Sequence, residues 1–284
     1  MTGTSGLTGT WCAESAPIAS TINLRGVWAI SAEDVFAVGD GGTILRRTGG
    51  AWTEMASGTT SKLLAVWGSS GSDVWAVGVS GTVLHFDGTA WSTLPSFTTS
   101  DLDAVWGSGS SDVWLAATGT LWHSTGSGAP PVASLNVGGH LLSVSGTGPT
   151  DVWTVGENAG AHHFTGSWVT VSIPSGTNTY FAVLDRAAGD VWVTDSSLGK
   201  ESMHLVGTTW AAQKVALGVT LVSLTALAAS DVWGVGGTRV AHWNGSSWAS
   251  DTTFGTSASL KSVTSTTGDA WLVGNSALIA HQTL

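Results

Sequence analysis

Cationic side chains are scarce in this chain: nine Lys and Arg stand against 19 Asp and Glu among 284 residues, a formal net charge of −10. Binding a polyanion needs clustered basic residues, and only Arg46 and Arg47 are adjacent, so a nucleic-acid partner is not expected. There is one cysteine, Cys12, which excludes an intrachain disulfide framework and a thiolate metal site. No apolar run approaches membrane-spanning length and no signal peptide opens the sequence, so no membrane insertion is expected and the compartment stays open. Charged residues make up 10%, well below the roughly 25% of ordinary globular proteins. Serine and threonine take much of their place.

What is abundant points to β-structure. With 39 glycines, 17 tryptophans and 42% hydrophobic residues, the composition fits short strands joined by glycine-rich turns rather than disorder. The tripeptide Asp–apolar–Trp/Phe starts at Asp34, Asp73, Asp112, Asp151, Asp190, Asp231 and Asp269, with spacings of 39, 39, 39, 39, 41 and 38. Each unit reads as four strands. In the second unit, strand A is expected at Leu63–Trp67, B at Val74–Gly78, C at Thr82–Phe86 and D at Trp91–Leu94. "SSGS" links A to B and Asp87-Gly88 marks the C–D hairpin. "VWAVG" is apolar without alternation, as in a strand covered on both faces. Four-stranded units of about 40 residues are the signature of a β-propeller.

The ends fit one ring. The last unit supplies strands A (Leu260–Thr264), B (Trp271–Gly274) and C (Leu278–His281), then stops, whereas "LTGTWCAESAP" near the N-terminus matches "FTGSWVTVSIP" at 164–174. Trp11 then corresponds to the strand-D tryptophans Trp52, Trp91, Trp168, Trp210 and Trp248. The expectation is one seven-bladed, all-β propeller of four-stranded antiparallel blades over 1–284, with residues about 8–14 completing blade seven and removing an open sheet edge.

"VGDGGTILRRTGGAW" (38–52) and "VGVSGTVLHFDGTAW" (77–91) resemble the repeats of photosystem II assembly factor-like proteins and the Asp-box repeats of sialidase-type propellers. "SDVWAVG" resembles a broad bacterial group of Trp-rich propellers. Gly119–Leu121–Trp122–His123, and Gly81–Leu84–His85 followed by Trp91, are similar to the repeats of tectonin-like lectins and seven-bladed fucose-binding lectins of Photorhabdus type. The first resemblance implies an assembly role and the last implies sugar binding. Sialidase chemistry would need an arginine triad with Tyr and acids, but the five arginines (25, 46, 47, 186 and 239) are scattered and Tyr180 is the one tyrosine. No nucleophile elbow, phosphate loop or zinc motif appears. No enzymatic activity and no cofactor are expected.

Two columns suit a core role: the seven Asp as turn-fixing acceptors, and Phe36, Trp75, Trp114, Trp153, Trp192, Trp233 and Trp271 as aromatics stacked between blades. Six histidines share one position near the end of strand C: His85, His123, His163, His204, His242 and His281, with Arg46 in the first unit. Equivalent positions in neighbouring sheets lie ~10 Å apart, too far to share a metal. Two readings follow. In one, each histidine is half-buried and bonded to backbone or to the repeat Asp. In the other, each lies beside a strand-D Trp and makes a shallow sugar pocket: His85/Trp91, His163/Trp168, His204/Trp210, His242/Trp248 and His281/Trp11. A pyranose needs an aromatic wall and a polar tip.

The repeat is broken in places. Unit three has Pro130-Pro131 and lacks its strand-D Trp, unit four has Ser145 where Trp67 and Trp106 stand, and unit five carries a longer B–C segment, "DSSLGKES" (195–202). The D–A connections vary most and gather on one face, with Lys62, Asp101, Asp103, His140, Tyr180 and Lys261. The first expectation is a multivalent carbohydrate-binding protein whose partner is a carbohydrate or glycoconjugate. The alternative is a protein-interaction scaffold using the D–A face.

Overall fold

Most of the Asp–apolar–aromatic tripeptides open a strand that is buried almost from end to end, because both of its faces carry apolar side chains. These strands include Asp34–Gly39, Asp73–Gly78, Asp190–Asp195, Asp231–Gly236 and Asp269–Gly274. The computed structural model describes residues 9–126, 130–175, 178–196, 201–215 and 218–283. Among them there is no α-helix, only short 3-10 turns at Asp40–Gly42 and Val79–Gly81. Residues 197–200 of the longer segment in unit five lie outside the described residues.

The strands form a β-propeller of six blades, not seven. Five sheets have four antiparallel strands, in the order A-B-C-D. In the second unit these are Leu63–Ser70, Asp73–Gly78, Val83–Phe86 and Trp91–Thr93. The sixth sheet has six strands and carries units three and four together. The reason lies in two long strands, Asp112–Ser124 and Val132–Gly148. Elsewhere an irregular D–A loop separates sheets, but 132–148 stays extended: its first part pairs with 118–123, and from His140 onward it pairs with 151–157. The ladder is therefore unbroken where a gap between two blades was expected. Within Asp112–Ser124 the chain doubles back near Gly119 (φ +79°), since Asp112 and His123 meet side chain to side chain.

Near the N-terminus, Cys12–Glu14 pairs antiparallel with Ile279–Thr283, Cys12 opposite His281, as the fourth strand of the sheet that holds Asp269–Gly274 and Leu260–Thr266. Glu14 ties this joint together. Its carboxylate accepts from Trp52 Nε1 at 2.5 Å and from Arg47 Nε at 3.3 Å, and it lies 3.4 Å from His281 Nδ1.

The core lies between sheets. The strand-B aromatics from Phe36 to Trp271 are all at most 4% exposed. Most meet the strand-D tryptophan of the following unit edge-on: Phe36–Trp91, Trp114–Trp168, Trp153–Trp210, Trp192–Trp248 and Trp233–Trp11, with centroids 5.5–6.3 Å apart. Such edge-to-face pairs add about 0.5–1.5 kcal/mol each beyond area burial. Unit three has no strand-D Trp, and Trp122 with Phe97 fills the space beside Trp75, the two rings 4.9 Å apart.

A second complementarity joins the A strands around the centre. Trp28 Nε1 donates to Gly68 O at 2.9 Å. A methyl group at Gly107 would come within 2.7 Å of the Trp67 ring, and one at Gly146 within 2.6 Å of the Trp106 ring. Indole in one unit thus demands glycine in the next. Where unit four has Ser145 instead, unit five has Asp185 in place of glycine, and the Asp185 N–H donates to Ser145 Oγ at 3.0 Å.

Candidate functional site

Antiparallel pairing sets the start of strand B beside the end of strand C, and this brings the repeat Asp to the repeat His in every unit that has both. The Nε2 of His85, His123, His163, His204, His242 and His281 donates to Oδ1 of Asp73, Asp112, Asp151, Asp190, Asp231 and Asp269 at 2.7–2.8 Å. In unit one, Arg46 makes the same contact bidentately with Asp34, at 2.8 and 2.9 Å, and sits over the Phe36 ring. The second carboxylate oxygen is often held as well, by Ser69 on Asp73, Ser108 on Asp112, Thr147 on Asp151 and Arg186 on Asp190. Asp73, Asp112 and Asp151 thus lie between a hydroxyl and an imidazole. A nucleophilic hydroxyl would instead have to touch the imidazole, so this order is that of a structural clamp.

One face of each imidazole is also occupied. His123, His163, His204, His242 and His281 stack on the strand-B Trp of their own unit, centroids 3.9–4.6 Å apart, and His85 is tilted on Trp75 at 5.1 Å.

The strand-D tryptophans point the other way. Phe86 pairs with Trp91 across the hairpin, while His85 pairs with Ser92. Cross-strand partners share a face and successive residues alternate, so His85 and Trp91 lie on opposite faces of their sheet. The same register separates His163 from Trp168, His204 from Trp210 and His242 from Trp248. His281 pairs with Cys12, which puts Trp11 on the opposite face, where it packs on Trp233. Trp11 and Trp248 are buried at 3% and 5% exposure. None of the five pairs is brought together as a pocket.

A different concavity runs through the centre. The A strands line a channel of about 420 Å³. Near the start of six A strands the ladder skips one residue: Arg25, Leu64, Asp103, Leu142, Phe181 and Lys261 are bulged out of register. Val222 precedes Ser223–Ala228 at the equivalent position. All of these except Phe181 line the channel. They form a ring at the D–A mouth in which almost every unit contributes a different side chain. Lys261 and Arg25 stand on adjacent units, and Leu142, Phe181 and Val222 follow one another on the opposite arc.

Most acidic groups of the mouth are locally fixed. Arg25 Nε donates to Asp40 at 2.6 Å, and Asn23 adds a bond at 2.9 Å. The guanidinium beside Asp40, with Asn23 and the charge of Lys62, holds this carboxyl below its ordinary range despite partial burial. His140 Nε2 lies 2.5 Å from Asp103, and Asp101 accepts from the Ser80 N–H at 2.8 Å. Tyr180 is buried, its hydroxyl 3.2 Å from Ser175 Oγ. Of the ring, the sequence pointed to Asp103 and Lys261. Arg25, Leu64, Leu142, Phe181 and Val222 were missed, although each directly follows the first apolar residue of its A strand.

No protein-family model matches the chain, and no curated protein matches it. Solved structures do. YCF48 bound to D1 peptide superimposes with a TM-score of 0.78 at 14% identity, covering 97% of each chain. A catalytically inactive virginiamycin B lyase from Staphylococcus aureus, with quinupristin, gives 0.84 at 13% identity over 97% of this chain and 99% of that one. The WD40 propeller domain of Doa1 gives 0.77 at 11% identity over 98% of both. At such identities the likeness establishes the architecture: the chain is a β-propeller.

Proposed function

We propose that this protein is a non-catalytic interaction scaffold that seats an extended polypeptide segment across the D–A mouth of its channel. The observation that carries this reading is the contrast between two sets of positions. The His–Asp bond recurs nearly unchanged from unit to unit and closes within each unit, whereas the bulged ring at the mouth differs around the circle. One asymmetric site suits one partner. Repeated equivalent sites would suit a multivalent sugar binder, and the pocket which that reading needs is divided between two faces of each sheet. The bound D1 peptide of the similarly folded YCF48 supports a peptide as ligand class. The ring offers a peptide an apolar arc for its side chains and a cation at Lys261, beside the Arg25–Asp40 pair.

Selection of a displayed random-peptide library on the immobilised full chain tests the proposal. Selected peptides should lose at least about tenfold in affinity, or 1.4 kcal/mol, on Phe181→Asp and on Lys261→Glu, with His85→Ala and His242→Ala unchanged. Peptides whose binding ignores both mouth variants would overturn it.

A further inference from the structure

The seam between units four and five is unlike the three before it in both of its members, Ser145 for tryptophan and Asp185 for glycine. Asp185 is 6% exposed, no donor group reaches its carboxyl oxygens among the described residues, and the side chain within hydrogen-bonding reach is another carboxylate, that of Asp151. The Ser145 hydroxyl beside it is engaged by the Asp185 backbone N–H. Two further carboxylates act on the site. Asp151 comes from unit four and is held by His163 and Thr147. Asp190 comes from unit five and is held by His204 and Arg186. The one guanidinium in this group, Arg186, is thus committed to Asp190. An ionised, unpartnered carboxylate is strongly disfavoured in such a place.

We propose that this seam is a proton-controlled joint in the propeller ring, closed while Asp185 is protonated and loosened when it ionises beside Asp151 and Asp190. Burial first, then repulsion from Asp151 and Asp190, and last the hydrogen bond that only the protonated group can donate to Asp151, pushes the Asp185 carboxyl up to about 8. The switch therefore falls in the mildly alkaline range. Ser145, Gly146, Leu184 and Asp185 all line the channel, so loosening the joint alters the channel wall on one side alone. The device does not depend on which ligand the mouth takes.

Hydrogen exchange of the full chain at pH 6.5 and 9, corrected for intrinsic rates, tests it. Segments 141–148 and 180–187 should open at least about tenfold more at the higher pH, the equivalent of one pKa unit, while 24–31 and 63–70 stay unchanged. Asp185→Asn should abolish the difference. Equal opening at all seams, or the same opening in Asp185→Asn, would overturn the joint. A carboxyl ¹³C titration of the unmutated protein supplies a readout that does not depend on the variant folding. A midpoint near 8 supports the joint, and an ordinary carboxylate midpoint refutes it.

Discussion

The imidazole of His204 lies flat on the indole of Trp192, centroids 3.9 Å apart and planes at 12°, while its Nε2 donates to Asp190 at 2.8 Å. The ring's face and its Nε2 are thus both used inside one unit, and the Asp is fixed in turn by Arg186. His204→Ala should therefore cost stability, about 1–3 kcal/mol for a hydrogen bond to a largely buried carboxylate. It should leave ligand affinity unchanged. Urea unfolding and a parallel binding titration check both halves.

Trp11 closes the last sheet by packing edge-on against Trp233. Trp11→Ala should destabilise the protein by about 3–5 kcal/mol, measured by chemical denaturation. An unchanged midpoint would mean that the N-terminal strand adds nothing to the ring.

Glycine at the seams reports the indole of the preceding unit. Gly107→Ala places a methyl group against the Trp67 ring and the Asp112 carbonyl, and overpacking of this kind costs about 1–3 kcal/mol. Gly109→Ala, where a methyl group meets nothing within 4 Å, should be close to neutral in the same unfolding assay.

Asp185 also sets the pH profile of stability. The folded protein keeps this proton up to about pH 8, whereas an unfolded chain releases it near 3.8. Between these values the native state binds the extra proton, so its contribution is fully present below the unfolded value and is lost as pH rises toward 8. The slope is at most about 1.4 kcal/mol per pH unit. Asp40 works in the opposite sense: its carboxyl is held below 3.8, so its contribution is present above that value and disappears as pH falls through the lowered one. Urea unfolding at pH 5, 6.5, 8 and 9 should show a decline that Asp185→Asn removes. An identical profile in the variant would contradict this assignment.

The repeat, the strand order within a unit and the aromatic core column were legible because each is a local pattern repeated many times, whereas the repeat Asp, read as a turn-fixing acceptor, takes its bonds from His, Arg, Ser and Thr side chains. The bond between His and the repeat Asp was one of two readings open from sequence. What decides between them is alternation: "HF" in 85–86 places His85 and Phe86 on opposite faces, and the hairpin sets Trp91 opposite Phe86. Sequence proximity of His85 and Trp91 concealed that opposition. The merging of units three and four was not legible, since Pro130-Pro131 marked only a broken repeat, yet 132–148 remains extended. Ser145 stood out as a broken position, but its counterpart Asp185 lies 40 residues away and is complementary only across a seam.

The count of ligand sites tests the central claim most directly. Calorimetric titration of the full chain with a selected peptide should give one site per chain, lost in Phe181→Asp and retained in His204→Ala, with no binding on a glycan array. Several equivalent sites per chain, filled by a sugar and removed one at a time by substitutions in the His column, would contradict the scaffold reading.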